Sequence, residues 1–325
     1  MDRYNWKNHY AVRLTELEDA GDFFHYGIEE ETGKGKVTSC TVFSGIQAVY
    51  NDLYLFHCGR SVPRTEEIIE INYCVEGRYE CEVNRQYCFY ATPGDLSVGN
   101  AGRRESAGSF PTGRFSGLTF FIDLTTTREQ NASLLREMEV DLDVISRMAL
   151  QGPQRFYLRG REEIDAVCQQ MISAVTSHCL PLLKLRTLEL LMLLSDPELL
   201  RGNNMPPYLS RKNIQLAKKV RQRVTENLSS HLTIRQLSEE LRASPTAIKS
   251  AFKNVYGESV GEYRKSIRLQ EAQRLLRETD RPIAEIAEMV GYSNPGHFAV
   301  AFRGKFSMTP GDYKRLVRSK GNRLS

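Results

Sequence analysis

The chain has 325 residues, of which 41% are hydrophobic and 26% charged, with a net charge of +4. This places it among ordinary soluble globular proteins, long enough for two domains. No segment approaches the roughly 18 uncharged apolar residues of a membrane span, and the N-terminal "MDRYNWKNHYAVRL" lacks the apolar core of a secretion signal, so a cytoplasmic protein without membrane contact is expected.

The charge is unevenly distributed. Residues 208–325 carry 23 Lys and Arg against 11 Asp and Glu, a balance of +12, whereas the remainder carries 21 against 29, a balance of −8. A basic segment joined to a mildly acidic one points to a polyanionic partner for the C-terminal part; a solvated surface or an acidic protein partner would use the same charge. Seven cysteines, at 40, 58, 74, 81, 88, 168 and 179, include no CxxC pair, so reduced thiols are expected rather than a disulfide framework or zinc knuckle.

From about residue 38 to 124 the sequence reads as short, half-buried strands. Ile69, Ile71, Tyr73 and Val75 alternate, as do Tyr79, Cys81 and Val83, and Leu118, Phe120, Ile122 and Leu124. Turn signals at Gly77-Arg78, Asn84-Arg85, Pro93-Gly94-Asp95 and Gly99-Asn100 divide them as in an antiparallel sandwich or small barrel. The aromatics Tyr54, Phe56, Tyr73, Tyr79, Tyr87 and Phe89 can line a ligand cavity or fill a plain core, and Arg103 with Arg104 could neutralise an acidic effector at a barrel mouth. Cys74, Cys81 and Cys88 recur every seven residues; they read as a redox or metal sensor or as small apolar core residues. His9, His25 and His57 are isolated and no HxH occurs, so no metal, cofactor or catalytic residue is assigned and the protein is not expected to be an enzyme.

Residues 128–200 change to helical period. "LPLLKLRTLELLMLLSD" has too many leucines for one face, so this helix buries two sides, one of them against a second subunit or both within the chain. "RGNNMPPYLS", residues 201–210, reads as a linker.

Beyond it lies an internal repeat. Ile234, Leu237, Leu241, Ile248, Phe252 and Tyr256 are answered by Ile283, Ile286, Val290, Phe298, Phe302 and Phe306, at an offset of 49 residues before a Ser-rich turn and 50 after it. Two copies of helix, tight turn and second helix give that pattern. Thr233 with Gln236 predicts a capping box, Ser244-Pro245 a cap with a first-turn proline, and Pro282 the matching start in the second copy. In such a unit the second helix enters the major groove, so its residues facing away from the apolar stripe are the DNA-reading candidates. These are Thr246, Lys249, Ser250 and Lys253 in the first copy, and Asn294, Gly296, His297, Val300 and Arg303 in the second. The polar groups suit base edges and phosphates, and Val300 suits a thymine methyl.

The stretch "RLQEAQRLLRETDRPIAEIAEMVGYSNPGHFAVAFRGKFSMTPGDYKR", with "LSEELRASPTAIKSAFKNVYGESVGEYRKSIRL" before it, resembles the C-terminal signature of the AraC/XylS family of bacterial transcription regulators over about residues 210–318. The wording "SPTAIKSAFKNVYG" is closer to the siderophore-responsive, pyochelin-regulator-like subgroup than to sugar-responsive members. The resemblance implies an α+β architecture: a cupin-like β-barrel sensing a small-molecule effector over 1–125, a helical dimerisation region over 126–200, and a double helix-turn-helix over 211–318. A long helix from about Ser259 to Arg277 would join the two units. It further implies promoter DNA and RNA polymerase as partners, a homodimer, and activation as the usual mode. Ser307 stands where the family usually has glycine, which predicts a mildly strained helix end. The competing reading is a small-molecule-binding or cysteine redox-responsive protein whose basic tail docks on a protein.

Overall fold

The computed structural model describes the chain outside residues 1–5, 10–13, 18, 61–66, 83–86, 102–106, 151–155, 197, 199–208, 231 and 322–325. It divides into two compact units, Met1–Tyr208 and Leu209–Ser325.

The first unit is built on β1 (Leu14–Glu16), β2 (Phe24–Glu30), β3 (Gly33–Phe43), β4 (Ile46–Leu55), β5 (His57–Arg60), β6 (Ile68–Gly77), β7 (Tyr79–Glu82), β8 (Tyr87–Ala91), β9 (Leu96–Asn100), β10 (Ala107–Ser109), β11 (Phe115–Asp123) and β12 (Phe156–Leu158). Eight of these form an antiparallel sheet in the order β1-β2-β3-β4-β11-β6-β9-β12, and a second sheet holds β8-β7-β10-β5. Among the described residues β1 and β12 are edges of the larger sheet, so it is open; the expected closed barrel is not what forms. Strands also begin earlier than the alternation predicted, because β2 and the first half of β3 carry Glu, Lys and Gly on a face that stays wet.

Four helices follow: α1 (Leu124–Glu137), α2 (Leu142–Leu150), α3 (Glu162–Thr176) and α4 (Leu180–Ser195). They share one core with the sheet, in which Ile69, Ile71, Leu118, Phe120 and Ile122 meet Ile145, Val167, Met171, Leu183 and Leu190. On its opposite face the sheet packs Val49, Leu53, Phe121 and Ile68 against Trp6, Tyr26 and Phe110, with Tyr79 of β7 beside them. Of the strands expected to be half-buried, β6 and β11 are therefore covered on both sides. In β11 every residue after Phe115 is buried.

After a two-residue strand, Leu209–Ser210, the second unit is helical: α5 (Arg211–Glu226), α6 (Ile234–Leu241), α7 (Pro245–Tyr256), α8 (Val260–Glu278), α9 (Ile283–Met289), α10 (Pro295–Phe306) and α11 (Pro310–Gly321). Local chemistry sets these boundaries. Thr233 Oγ1 accepts from the Gln236 N–H while the Gln236 side chain accepts from the Thr233 N–H, and Ser259 with Glu262 repeats the device at the start of α8. Ser244 caps α7 and Asn294 caps α10, each followed by proline at the first helical position. No helix among the described residues is long and apolar enough to cross a membrane.

Candidate nucleic-acid interface

The two repeats occupy α6-α7 and α9-α10, and their apolar stripes turn inward as their spacing requires. Leu237, Ile248 and Phe252 are fully buried in the first, Ile286, Phe298 and Phe302 in the second. With Phe pinned on one side, the other side of each second helix is left to solvent. All nine predicted reading residues lie there: Thr246, Lys249, Ser250 and Lys253 on α7, and Asn294, Gly296, His297, Val300 and Arg303 on or at the start of α10 are exposed. None is spent on the core.

Their chemistry differs in detail. The Asn294 side-chain oxygen already accepts from the Gly296 N–H at 2.8 Å and the His297 N–H at 3.1 Å, which leaves its amide NH2 as the group it can offer a ligand. Ser250 Oγ lies 3.4 Å from Asn254 Nδ2. Asn254, one residue beyond the last candidate on α7, is also exposed; polar residues near the helix end at that spacing are the signal that points to it. Val300 is 74% exposed, an apolar side chain standing alone in water on the second reading face. Each reading helix ends in a left-handed residue, Gly257 at φ 84° and Ser307 at φ 58°. The serine pays the steric cost that glycine avoids.

The helix-turn-helix region of the chain matches known proteins. The helix-turn-helix domain family matches residues 237–316. Residues 237–316 are thus a helix-turn-helix domain. The chain is 33% identical over 96 residues to the transcriptional regulator YtdP of Bacillus subtilis, covering 30% of this chain and 12% of that one. It is 28% identical over 93 residues to the transcriptional activator RhaR of Klebsiella pneumoniae, covering 29% and 33%. A third relative, the bifunctional transcriptional activator/DNA repair enzyme AdaA of Bacillus subtilis, is 27% identical over 95 residues, covering 29% and 45%. The chain thus spans less than half the length of these relatives. Among solved structures, the C-terminal domain of AraT, a response regulator from Geobacillus stearothermophilus, is 32% identical, covering 31% of this chain and 84% of that one at a TM-score of 0.30.

The predicted effector residues are scattered. Tyr54 is exposed, with the Arg114 guanidinium 4.1 Å from its ring centre, and Arg114 in turn pairs with Asp52 and Glu76. Phe56 is half-buried under Gly113. Tyr73 sits on the helix-facing side of the sheet, where its hydroxyl donates to Asp165 and accepts from Gln169 Nε2 at 3.3 Å. Burial and the Asp165 carboxylate raise its pKa well above that of a free tyrosine. It lines an open cavity of about 670 Å³ with Thr92, Asp95, Arg159 and Asp165. Tyr79 stacks among Phe110 and Phe115 on the opposite side. The side chains of Tyr87, Phe89, Arg103 and Arg104 lie outside the described residues.

What sequence alternation missed is a polar row on the inner face of the larger sheet, in which Asn51, Thr119 and Glu70 are buried and Asn72 is half-buried. Asn51 Nδ2 donates to Thr119 Oγ1 at 3.3 Å, Thr119 Oγ1 to Asn72 Oδ1 at 2.7 Å, and Asn72 Nδ2 to Glu70 Oε1 at 2.9 Å. Ser39 and Ser97 are buried on that same face by strand parity, and Ser39 Oγ has no hydrogen-bond partner. Cys40, Cys74, Cys88 and Cys168 are buried, and burial with a nearby Asp22 pushes the Cys40 thiol up to about 12. Such thiols stay protonated and react slowly. The Cys58 and Cys81 side chains are outside the described residues.

Proposed function

We propose that the chain is a sequence-specific, effector-responsive transcription regulator that reads promoter DNA with α7 and α10. The observation that carries this reading is the exposure of all nine candidate residues on, or at the start of, helices whose opposite faces are buried. Lys249 and Ser250 act on base edges, Lys253 and Arg303 on phosphates, and Val300 and His297 read the second half-site. The first unit senses a small effector in a cupin-like sandwich. The Asn51-Thr119-Asn72-Glu70 row supports this reading as a set of hydrogen-bonding side chains that would suit a polar ligand. Of the aromatics singled out in the sequence, Tyr73, Tyr79 and Phe56 stay as ligand-lining candidates, Tyr73 on the helix-facing side and Tyr79 on the opposite one, and a siderophore-like effector agrees with the wording of α7.

A homodimer forms through α4, where Leu182, Leu185 and Met192 leave an apolar stripe in solvent on a helix whose other side is core. Activation through RNA polymerase, in the cytoplasm, completes the reading. The test is titration of labelled promoter duplex with the intact chain from 50 to 200 mM salt against nonspecific competitor. Six or more phosphate contacts predict a loss of about a thousandfold or more in affinity over that range, with specific binding surviving competitor. Binding that ignores salt, or vanishes with competitor, contradicts the proposal.

A further inference from the structure

Arg268 lies in α8, the helix joining the two repeats, and is only 7% exposed. Its Nε donates to the Leu228 carbonyl at 2.7 Å and its Nη2 to the Ser230 carbonyl at 3.0 Å. Its Nη1 donates to the Gly291 carbonyl at 3.0 Å. Leu228 and Ser230 belong to the loop that leads from α5 into the first repeat, while Gly291 is the tight turn of the second. One planar fork therefore ties the loop that enters the first repeat to the turn of the second.

Two neighbours show how closely this junction is built. A Cβ on Gly291, which sits at φ +87°, would lie 2.6 Å from Arg268 Cζ and 2.6 Å from the Leu228 carbonyl oxygen. Only glycine lets that turn reach the guanidinium. One helical turn before Arg268, Arg264 Nη1 donates to the Leu232 carbonyl at 2.7 Å, gripping the same loop further along. On the far side, Lys305 of α10 donates to the Ser266 carbonyl at 3.0 Å and to the Ser266 hydroxyl.

The arrangement is costly as a source of stability. Among the described residues no carboxylate pairs with Arg268, and its acceptors are three neutral carbonyls. Burial pulls its pKa down and Arg264 pulls it the same way. A buried cation without a counter-ion is poor glue. Its particular merit is geometric, because a guanidinium directs several donors in one plane to carbonyls of separate segments, and an ammonium cannot.

We infer that Arg268 is a positioning residue that fixes the spacing and rotation between the two reading helices, and through them the half-site spacing accepted on DNA. The inference rests on α7 and α10 being the DNA-reading helices.

The intact wild-type chain is first used to enrich duplexes from a random-sequence library, which yields its preferred sequence and spacing. Those duplexes, with one or two base pairs inserted between the halves, are the probes. Each inserted pair turns one half-site by roughly 34°, so the wild type should bind it at least about tenfold more weakly. Arg268→Lys and Gly291→Ala, each checked for a wild-type circular dichroism spectrum, should bind the parent duplex more weakly yet distinguish the spacings by less than about threefold. Should Gly291→Ala fail to fold, Arg268→Lys, which keeps the charge and removes the fork, decides alone. A folded variant that keeps the wild-type tenfold spacing discrimination overturns the inference, whatever its overall affinity. Failure of the wild type to enrich any sequence is a different result, and sinks the DNA-binding reading together with the inference.

Discussion

The two repeats have the same interior and different exteriors. In α6-α7 the buried Leu237, Ile248 and Phe252 carry a face bearing Thr246, Lys249, Ser250 and Lys253; in α9-α10 the buried Ile286, Phe298 and Phe302 carry Gly296, His297, Val300 and Arg303. Packing keeps the core positions apolar, with Phe252 and Phe302 alike and Ile248 answered by Phe298, whereas the water-facing positions are free to diverge in character. The left-handed residues diverge as well. The first repeat uses Arg242 at its turn and Gly257 at its helix end, and the second uses Gly291 at its turn and Ser307 at its end. Glycine stands at the second turn because Arg268 and Leu228 leave no room for a side chain there. The lesson is that the exposed face of the first repeat bears hydroxyl and ammonium groups, while that of the second mixes His297 and Arg303 with a glycine and an exposed valine.

The shared interior gives the largest expected effect. Phe252→Ala and Phe302→Ala should each cost about 3–5 kcal/mol, measured by chemical denaturation of the intact chain; a large inequality between them would break the equivalence of the two cores. The exteriors come next. Lys249→Ala should reduce discrimination between the selected and a scrambled duplex by about 1–3 kcal/mol, whereas Lys253→Ala should weaken both alike and lower the salt slope by about 1. Equal effects from both substitutions would remove the distinction between base and phosphate contacts.

For the second repeat, replacing thymine by deoxyuridine in its half-site removes the methyl groups that Val300 is expected to meet. The wild type should lose roughly 1 kcal/mol at the contacted base and Val300→Ala should lose none, read by competition binding. The smallest effect concerns the helix ends. Ser307→Gly should stabilise the second repeat and Gly257→Ser destabilise the first, each by roughly 1 kcal/mol in thermal or chemical unfolding, because only glycine adopts the left-handed region without steric cost.

The repeats were legible in the sequence because their signals are local: a capping box at Thr233, a Ser-Pro start at Ser244, and apolar spacing of period 3.6 each act within a few residues. The buried polar row was not. In β6, Ile69, Ile71 and Tyr73 alternate with Glu70 and Asn72, a pattern that reads as one dry and one wet face. Helices α2 and α3 cover the first face and the inner cluster covers the second, and neither partner can be read from the strand itself. The open sheet and the separation of Tyr73 from Tyr79 likewise depend on long-range pairing. The role of Arg268 was concealed for a related reason: its three acceptors are main-chain carbonyls 23 to 40 residues away, and carbonyls carry no sequence signature.

The most direct test of the paired-reader account is chemical footprinting of the intact protein on a duplex it has selected, scored for major-groove protection and for backbone cleavage. Two protected major-groove patches, centred about 10 base pairs apart on the same side of the helix, are the predicted result. A single patch, or two patches on opposite sides of the duplex, would contradict it.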